Sequence, residues 1–288
     1  MWVSKNWKDY RLLDASDGER LEMWGKYSLV RPDPQVIWQG ERTHPLWKHP
    51  DASYRRSRSG GGAWSENRLP EHWTIRYGAL RFVIKPMGFK HTGLFPEQAT
   101  NWDWFSELIR AAGRPIRVLN LFAYTGGATV AAAAAGASVC HVDAAKGMVA
   151  AAKENAALSG LADAPIRYIV DDCRKFMERE LRRGNTYDAI IMDPPSYGRG
   201  PTGEVWKIEE SIDAFVALSA RLLSDTPLFF LLNSYTTGLS ASAMRYMVDL
   251  RVARQRGGVT EADEIGLYTE QTGLTLPAGS SVRCVFEK

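Results

Sequence analysis

The stretch from Leu119 to Val130, LNLFAYTGGATV, decides how the rest of the chain folds. A short apolar run, RVLNLF, ends just before Gly126-Gly127 and passes into an Ala-rich helical segment from Gly127 to Ala135. Glycine at such a strand-to-helix turn allows positive φ and lets the backbone approach a ligand closely. Outward from this turn, strand-like and helix-like segments alternate. SVCHVD precedes a helical pattern from Ala144 to Ser159, IRYIVD one from Cys173 to Arg183, and YDAIIMD one from Glu209 to Leu223. PLFFLLN precedes a helix capped by Ser240 that runs from Ala241 to about Arg254, and IGLYTE and SVRCVFE close the series as an antiparallel pair. Five β-α repeats closed by a hairpin predict an α/β fold, a doubly wound and mostly parallel sheet with ligands at the carboxyl ends of its strands.

Upstream the pattern is different. Of ten Trp residues only Trp206 lies beyond Phe105, and short apolar runs alternate with turn signals such as Ser16-Asp17-Gly18 and Pro32-Asp33-Pro34. Period-two runs punctuated in this way predict antiparallel strands and hairpins. The polar stretch from His49 to Arg68, rich in Arg, Gly and Ser, has no apolar periodicity and is expected to be a mobile loop. The expected organisation is a β-rich N-terminal region over residues 1–84 and an α/β domain over residues 85–288.

Composition narrows the function classes. With 45% hydrophobic and 24% charged residues the chain can build an ordinary globular core. No apolar run is long enough to span a membrane, and MWVSKNWKDYRLLD has no signal-peptide h-region, so a cytoplasmic setting is expected. Cys140, Cys173 and Cys284 are widely spaced and show no metal-ligand pattern, so no metal is expected. The net charge of +3 names no partner, although the Lys/Arg excess is N-terminal.

The strand ends carry the candidate chemistry. The turn departs from G-x-G-x-x-G: Ala123 replaces the first glycine and Tyr124 adds bulk, which argues against a pyrophosphate. Asp143 ends the second strand, where a carboxylate can accept both hydroxyls of a ribose, or else cap the next helix. Asp171-Asp172 ends the third, and a carboxylate there can accept an adenine amino group. Asp172 is preferred, with Asp171 left to cap or face solvent. The fourth strand ends in DPPSYGRG, which offers Asp193, a rigid Pro194-Pro195 exit and the aromatic face of Tyr197.

Taken together, LNLFAYTGGATV, HVDAAKGMVAAAKENAALSGL, VDDCRKFM, MDPPSYGRG and the upstream FKHTGLFPEQATN resemble the class I S-adenosylmethionine-dependent methyltransferases that modify bases of large-subunit ribosomal RNA, the 5-methylcytosine and 7-methylguanine enzymes. The resemblance covers about Lys85 to Glu287. It implies a Rossmann-like seven-stranded sheet, S-adenosyl-L-methionine as cofactor and RNA as partner. It also implies that Phe95, Gln98, Asn120, Tyr124, Thr125, Gly126, Asp143, Asp172 and Asp193 contact or surround that cofactor. Asp193 and Tyr197 are then the catalytic candidates, with Asn233 helping to orient the nucleophile. Two departures stand out. The region before residue 80 does not match the small RNA-binding domain of some relatives, and Ser196 and the Asn233-Ser234-Tyr235 strand end supply no cysteine to attack a ring. Direct methyl transfer without a cysteine nucleophile is therefore expected. Arg55, Arg56 and Arg58, with Tyr54 and Trp64 beside them, are candidate RNA contacts, or else an inserted loop. A methyltransferase of small molecules or proteins, and a non-catalytic nucleoside-binding relative, remain as alternatives.

Overall fold

The computed structural model describes residues 1–288 except 58–60, 66–67, 89, 200–204 and 287–288. The chain forms two compact units, residues 1–100 with 265–278, and residues 101–264 with 279–288. The first unit thus runs past residue 84 and takes back a late segment. Among the described residues no helix is long and apolar enough to cross a membrane. Nor do any three His, Cys, Asp or Glu side chains among them come together in a way that could hold a metal ion.

The predicted sheet is present. Its strands in chain order are Arg117–Leu121, Ser138–Asp143, Ile166–Val170, Ala189–Met192, Phe229–Ser234, Gly258–Tyr268 and Thr275–Phe286. In space they run third, second, first, fourth, fifth, seventh, sixth, and Trp2–Ser4 adds an eighth strand parallel to the sixth. The first five pair in parallel, and the seventh runs antiparallel to the fifth, from Phe229 opposite Val285 to Ser234 opposite Ser280. Apart from exposed Arg117, the first strand is buried along its length, and the fourth and fifth are buried throughout. This explains their unbroken apolar runs, since helices cover both faces of a parallel sheet. Strand order reverses between the first strand and the fourth, so the exit of the first strand is the expected binding position. Helix Ala241–Val248 is capped by Ser240, whose hydroxyl accepts from Ala243 N–H at 3.2 Å, and it continues as a π-helical turn over Asp249–Ala253.

The first unit is β-rich, as its sequence predicts. A five-stranded sheet has the order Tyr10–Ser16, Glu19–Trp24, Tyr27–Pro32, Ala52–Arg56, Gly62–Ser65, with one parallel pairing, Leu29 opposite Ala52. The Asp-Gly signal acts as expected: Asp17 and Gly18 take φ of 52° and 76°, the left-handed pair of a two-residue hairpin turn. The stretch from His49 to Arg68 corrects the expectation of a loop, because Ala52–Arg56 and Gly62–Ser65 pair as an antiparallel hairpin. Gly62 permits this packing, since a Cβ there would stand 2.3 Å from the Arg55 carbonyl oxygen and 2.7 Å from the Tyr54 ring. Gly62, which looked like loop composition, is a spacer in a packed hairpin.

This sheet buries charge. Glu22, 0% exposed, accepts from Arg31 Nε at 2.6 Å, Arg31 Nη2 at 2.8 Å and the Tyr10 hydroxyl at 2.8 Å. Arg31 also lies over the Trp24 ring. Burial alone would raise the Glu22 carboxyl, but Arg20 and Arg31 outweigh it and hold the group at about 2. The carboxylate therefore contributes stability that is complete above its ordinary value of 4.5 and is lost as pH falls toward 2. Glu22→Gln strands a buried guanidinium and is expected to cost about 3–5 kcal/mol in urea unfolding at pH 7. That penalty should shrink when the titration is repeated near pH 2.5; a penalty independent of pH would remove the charge from the account.

Candidate active site

Register gathers the acidic strand ends on one edge of the second unit's sheet. Val142 and Met192 both pair with Leu121, and Val170 pairs with Asp143. Phe122, Asp143, Asp171 and Asp193 consequently leave neighbouring strands or end them side by side. At the centre the turn takes an unusual form. Phe122, Tyr124 and Gly126 adopt φ of 54°, 51° and 82°, so left-handed residues alternate through the turn. For a residue other than glycine this conformation costs about 1–3 kcal/mol and persists only where the surroundings hold it.

The surroundings are specific. Phe122 N–H donates to Cys173 Sγ at 3.3 Å, Tyr124 N–H to Asp143 Oδ2 at 2.9 Å, and Asn155 Nδ2 to the Thr125 carbonyl at 2.9 Å. Below the turn, Asn120 Nδ2 donates to Thr129 Oγ1, which pairs with His141 Nδ1, both at 2.9 Å. Burial pulls His141 down to about 4, so its ring is neutral at pH 7. Asn120, expected at the cofactor, is thus a buried support beneath the turn. Tyr124 is half-buried, while Thr125 and Gly126 are buried.

The carboxylates divide their tasks unevenly. Asp143 accepts from Tyr124 N–H and, through Oδ1, from Ala145 N–H at 2.8 Å. It braces the turn, while the helix Lys146–Leu158 has no side-chain cap. At the third strand the sequence leaves Asp171 to cap or face solvent, and the cap is corrected. Asp172 caps helix Cys173–Arg182, accepting from Lys175 N–H at 2.9 Å, while Asp171 pairs with Arg179. Asp193 is half-buried at the end of the fourth strand. Beyond it Tyr197–Arg199 and Val205–Lys207 pair as a hairpin that the sequence reading did not predict. Tyr197 is 52% exposed on that hairpin and can be reached by a solute. Trp206 anchors it: the ring packs against Phe122 and Phe215 at 5.4 and 5.3 Å, and Nε1 donates to the Pro195 carbonyl at 2.6 Å.

The remaining candidates lie elsewhere. Asn233 is buried, its amide oxygen accepting from Asn101 at 3.1 Å and Ser281 at 2.5 Å. Phe95 and Gln98 belong to the first unit, where Phe95 precedes the turn Pro96–Gln98 and Gln98 is buried. Arg55 and Arg56 are exposed on the hairpin strand, and Arg58 lies outside the described residues. Tyr54 is buried and Trp64 half-buried. The Tyr54 hydroxyl donates to the Gly88 carbonyl at 3.1 Å and Trp64 Nε1 to the Met87 carbonyl at 2.8 Å. All three cysteines are buried. Sequence reasoning missed Asn155, Thr129, His141 and Trp206; the Asn and His sit at strand or helix positions that look like ordinary interior, and only Trp206, isolated among aliphatic neighbours, offered a signal.

Residues 38–208 match the family model described as S-adenosylmethionine-dependent methyltransferase. A solved S-adenosylmethionine-dependent methyltransferase from Agrobacterium tumefaciens is 36% identical with a TM-score of 0.92, covering 99% of this chain and 93% of that one. A Streptococcus mutans structure at 18% identity and TM-score 0.75 shares the fold over 98% of this chain and 76% of its own. Curated relatives named ribosomal RNA large subunit methyltransferase K/L are 34% identical over 168 residues in Shewanella baltica and 31% over 206 residues in Shewanella frigidimarina. These matches cover 56% and 70% of this chain but only 22% and 27% of those proteins.

The turn makes a quantitative demand on Gly126. A Cβ there would stand 2.7 Å from Ala152 Cβ on the underlying helix, and φ is left-handed as well. Gly126→Ala is expected to cost about 2–5 kcal/mol, part backbone and part overpacking. In a double-mutant cycle with Ala152→Gly, the steric share of about 1–3 kcal/mol should return as coupling energy. Strict additivity in denaturant melts would show that the helix does not press on the turn.

Proposed function

The chain belongs to the S-adenosylmethionine-dependent methyltransferase family, and from that membership we propose that its substrate is a base of ribosomal RNA, methylated directly rather than through a cysteine adduct. The name carried by the Shewanella relatives supports RNA as the substrate class. The observation that carries direct transfer is the state of the thiols. Burial pushes Cys140 up to about 11, Cys284 up to about 12 and Cys173 higher still, so each stays protonated and enclosed at pH 7. Cys173 has a different task, accepting the Phe122 N–H.

The donor set at the sheet edge fits the cofactor. The left-handed residues of the turn are held by acceptors of the protein itself, and Asp143 stands beside the turn with a carboxylate suited to a ribose. In this reading Asp143 holds the ribose hydroxyls, Asp172 the adenine amino group, and Tyr124, Thr125 and Gly126 the wall between them. When bound, S-adenosylmethionine supplies a methyl group already activated on a sulfonium. The chain then has to orient the acceptor and exclude water. Asp193 accepts a hydrogen bond from the acceptor's N–H, and the exposed Tyr197 ring stacks on the target base, which contributes about 1–3 kcal/mol. Asn233 acts from behind, as a positioning residue for the end of the fifth strand.

The decisive experiment incubates the protein with methyl-labelled S-adenosylmethionine and separate pools of ribosomal RNA, protein and metabolites. Label is expected in RNA, and nucleoside mass spectrometry should find no 5-methylcytosine. Label in the protein or metabolite pool instead would sink the RNA reading. A variant with Cys140, Cys173 and Cys284 all changed to Ala should keep its activity once corrected for lost stability; abolished activity in a folded variant would overturn direct transfer.

Asp143→Asn separates the two tasks of that residue, since its amide oxygen can still accept from Tyr124 N–H while the exposed Ala145 N–H turns to water. A ligand at 100 times its Kd stabilises the native state by about 2.7 kcal/mol. The variant should melt close to the wild type yet lose most of the rise in Tm produced by S-adenosylmethionine. Retention of the full rise would remove the ribose from Asp143.

A further inference from the structure

The first unit holds an excess of positive charge that its own carboxylates do not balance. Arg20, Arg31 and Arg56 lie within electrostatic reach of Lys90, and the carboxylates facing this group are Glu22 and Asp33. The third acid in reach, Glu97, is buried, and that burial pushes its carboxyl up toward the neutral form. The remaining titratable neighbour, His91, is driven down to about 4 by burial and by Arg31, Lys90 and Arg20, so it is neutral at pH 7. Glu22 is already committed to Arg31, Arg20 and Tyr10, and Asp33 lies 3.6 Å from Arg20.

Lys90 sits where this charge meets solvent. Arg20 and Arg31 are buried, Lys90 is half-exposed and Arg56 is exposed. The Lys90 ammonium is held in place: Nζ donates to the Pro32 carbonyl at 3.1 Å, and the Lys90 carbonyl accepts from Arg31 Nη1 at 3.0 Å. The same segment is fastened to the hairpin that carries Arg55 and Arg56, through Tyr54 to Gly88 and Trp64 to Met87. The two aromatic side chains therefore position the basic strand beside Lys90. Burial and the surrounding guanidinium groups lower Lys90 to about 8. An ammonium made this costly by its own protein gains more than an isolated one from a neighbouring anion.

We propose that Lys90, with Arg56 beside it and Arg31 behind it, forms a phosphate subsite that grips the backbone of the RNA substrate. The subsite rests on the RNA reading given above. It assigns a role to a residue outside the cofactor motifs, and it explains why the hairpin is packed against the segment 87–90. Phosphate contacts of this kind set the register of a nucleic acid without reading its bases. A bound phosphate would raise the Lys90 ammonium back toward its ordinary range.

The test measures binding of a ribosomal RNA fragment by fluorescence anisotropy as a function of salt and pH. Lys90→Met is expected to weaken binding about tenfold or more. It should also flatten the slope of log affinity against log salt by about 0.7 for a single-stranded contact. The pH profile is the sharper reading. Wild-type affinity should fall as pH rises from 7 through 8 to 9, because Lys90 loses its proton, whereas Lys90→Arg stays charged and should bind without that fall. The rise in Tm with S-adenosylmethionine should be the same in all three proteins. On the wild type alone, an amine-acylating reagent should modify Lys90, and RNA should protect it, a readout that survives if a variant fails to fold. Wild-type RNA binding with an unaltered slope in Lys90→Met, the same pH profile in Lys90→Arg, or no protection of Lys90 would overturn the subsite and leave the RNA reading standing. No RNA binding by the wild type would overturn both.

Discussion

Everything at the sheet edge depends on holding Phe122 and Tyr124 in a backbone conformation that neither residue prefers. Left to itself a left-handed Phe or Tyr would relax, and the turn would lose its form. Each strained residue is instead met by a hydrogen bond from a different element. Cys173, at the start of a helix after the third strand, receives the Phe122 N–H, and Asp143, at the end of the second strand, receives that of Tyr124. Asn155, from the helix between them, takes the Thr125 carbonyl. The turn can form only when the first three strands are in register, so the binding edge and the fold are specified together.

The two units manage buried polarity in different ways. Beneath the turn the second unit uses neutral groups in a chain, Asn120 to Thr129 to His141, which a buried site satisfies without any net charge. The first unit buries ions. Its Glu22 and Arg31 meet in a near-bidentate pair, but the surplus guanidinium groups leave a field that extends to Lys90. A neutral network suits a site that must discriminate a nucleoside by shape. An uncompensated cationic network suits the capture of a polyanion, where long-range attraction matters more than geometry.

Much of this was legible in the sequence, for reasons that also mark where legibility stops. Strand ends are readable because a buried parallel strand needs an unbroken apolar run and its functional acid must follow that run at once, as in HVD and MDPP. The Asp-Gly hairpin is readable because only certain residues accept its dihedrals. The hairpin from Ala52 to Ser65 was not, because Gly62 serves close packing against Tyr54 and the Arg55 carbonyl rather than flexibility. Composition is the same in both cases, and only the partner surface tells them apart. Likewise adjacency hid which of Asp171 and Asp172 caps the helix: either carboxylate could, and Asp172 does. Trp206 could be noticed but not placed, since the hairpin that carries it follows no periodic pattern.

Trp206 also shows how one contact can serve both sides of a transfer site. Its ring packs on Phe122, the first left-handed residue of the turn, and its indole N–H holds the Pro195 carbonyl in the segment that leads to Tyr197. The turn and the Tyr197 hairpin therefore cannot move independently: a shift in Phe122 displaces the indole, and a displaced indole gives up a hydrogen bond to a rigid Pro-Pro exit. Proximity accelerates transfer only while donor and acceptor are held within a fraction of an ångström of the productive geometry, and misplacing one of them by 1 Å can cost about a hundredfold. A packed aromatic bridge is stiff enough for that purpose because an interior at crystal-like density resists small displacements. The strain stored at Phe122 is in this sense useful. It comes with a side chain that packs on both the indole and the Phe215 ring.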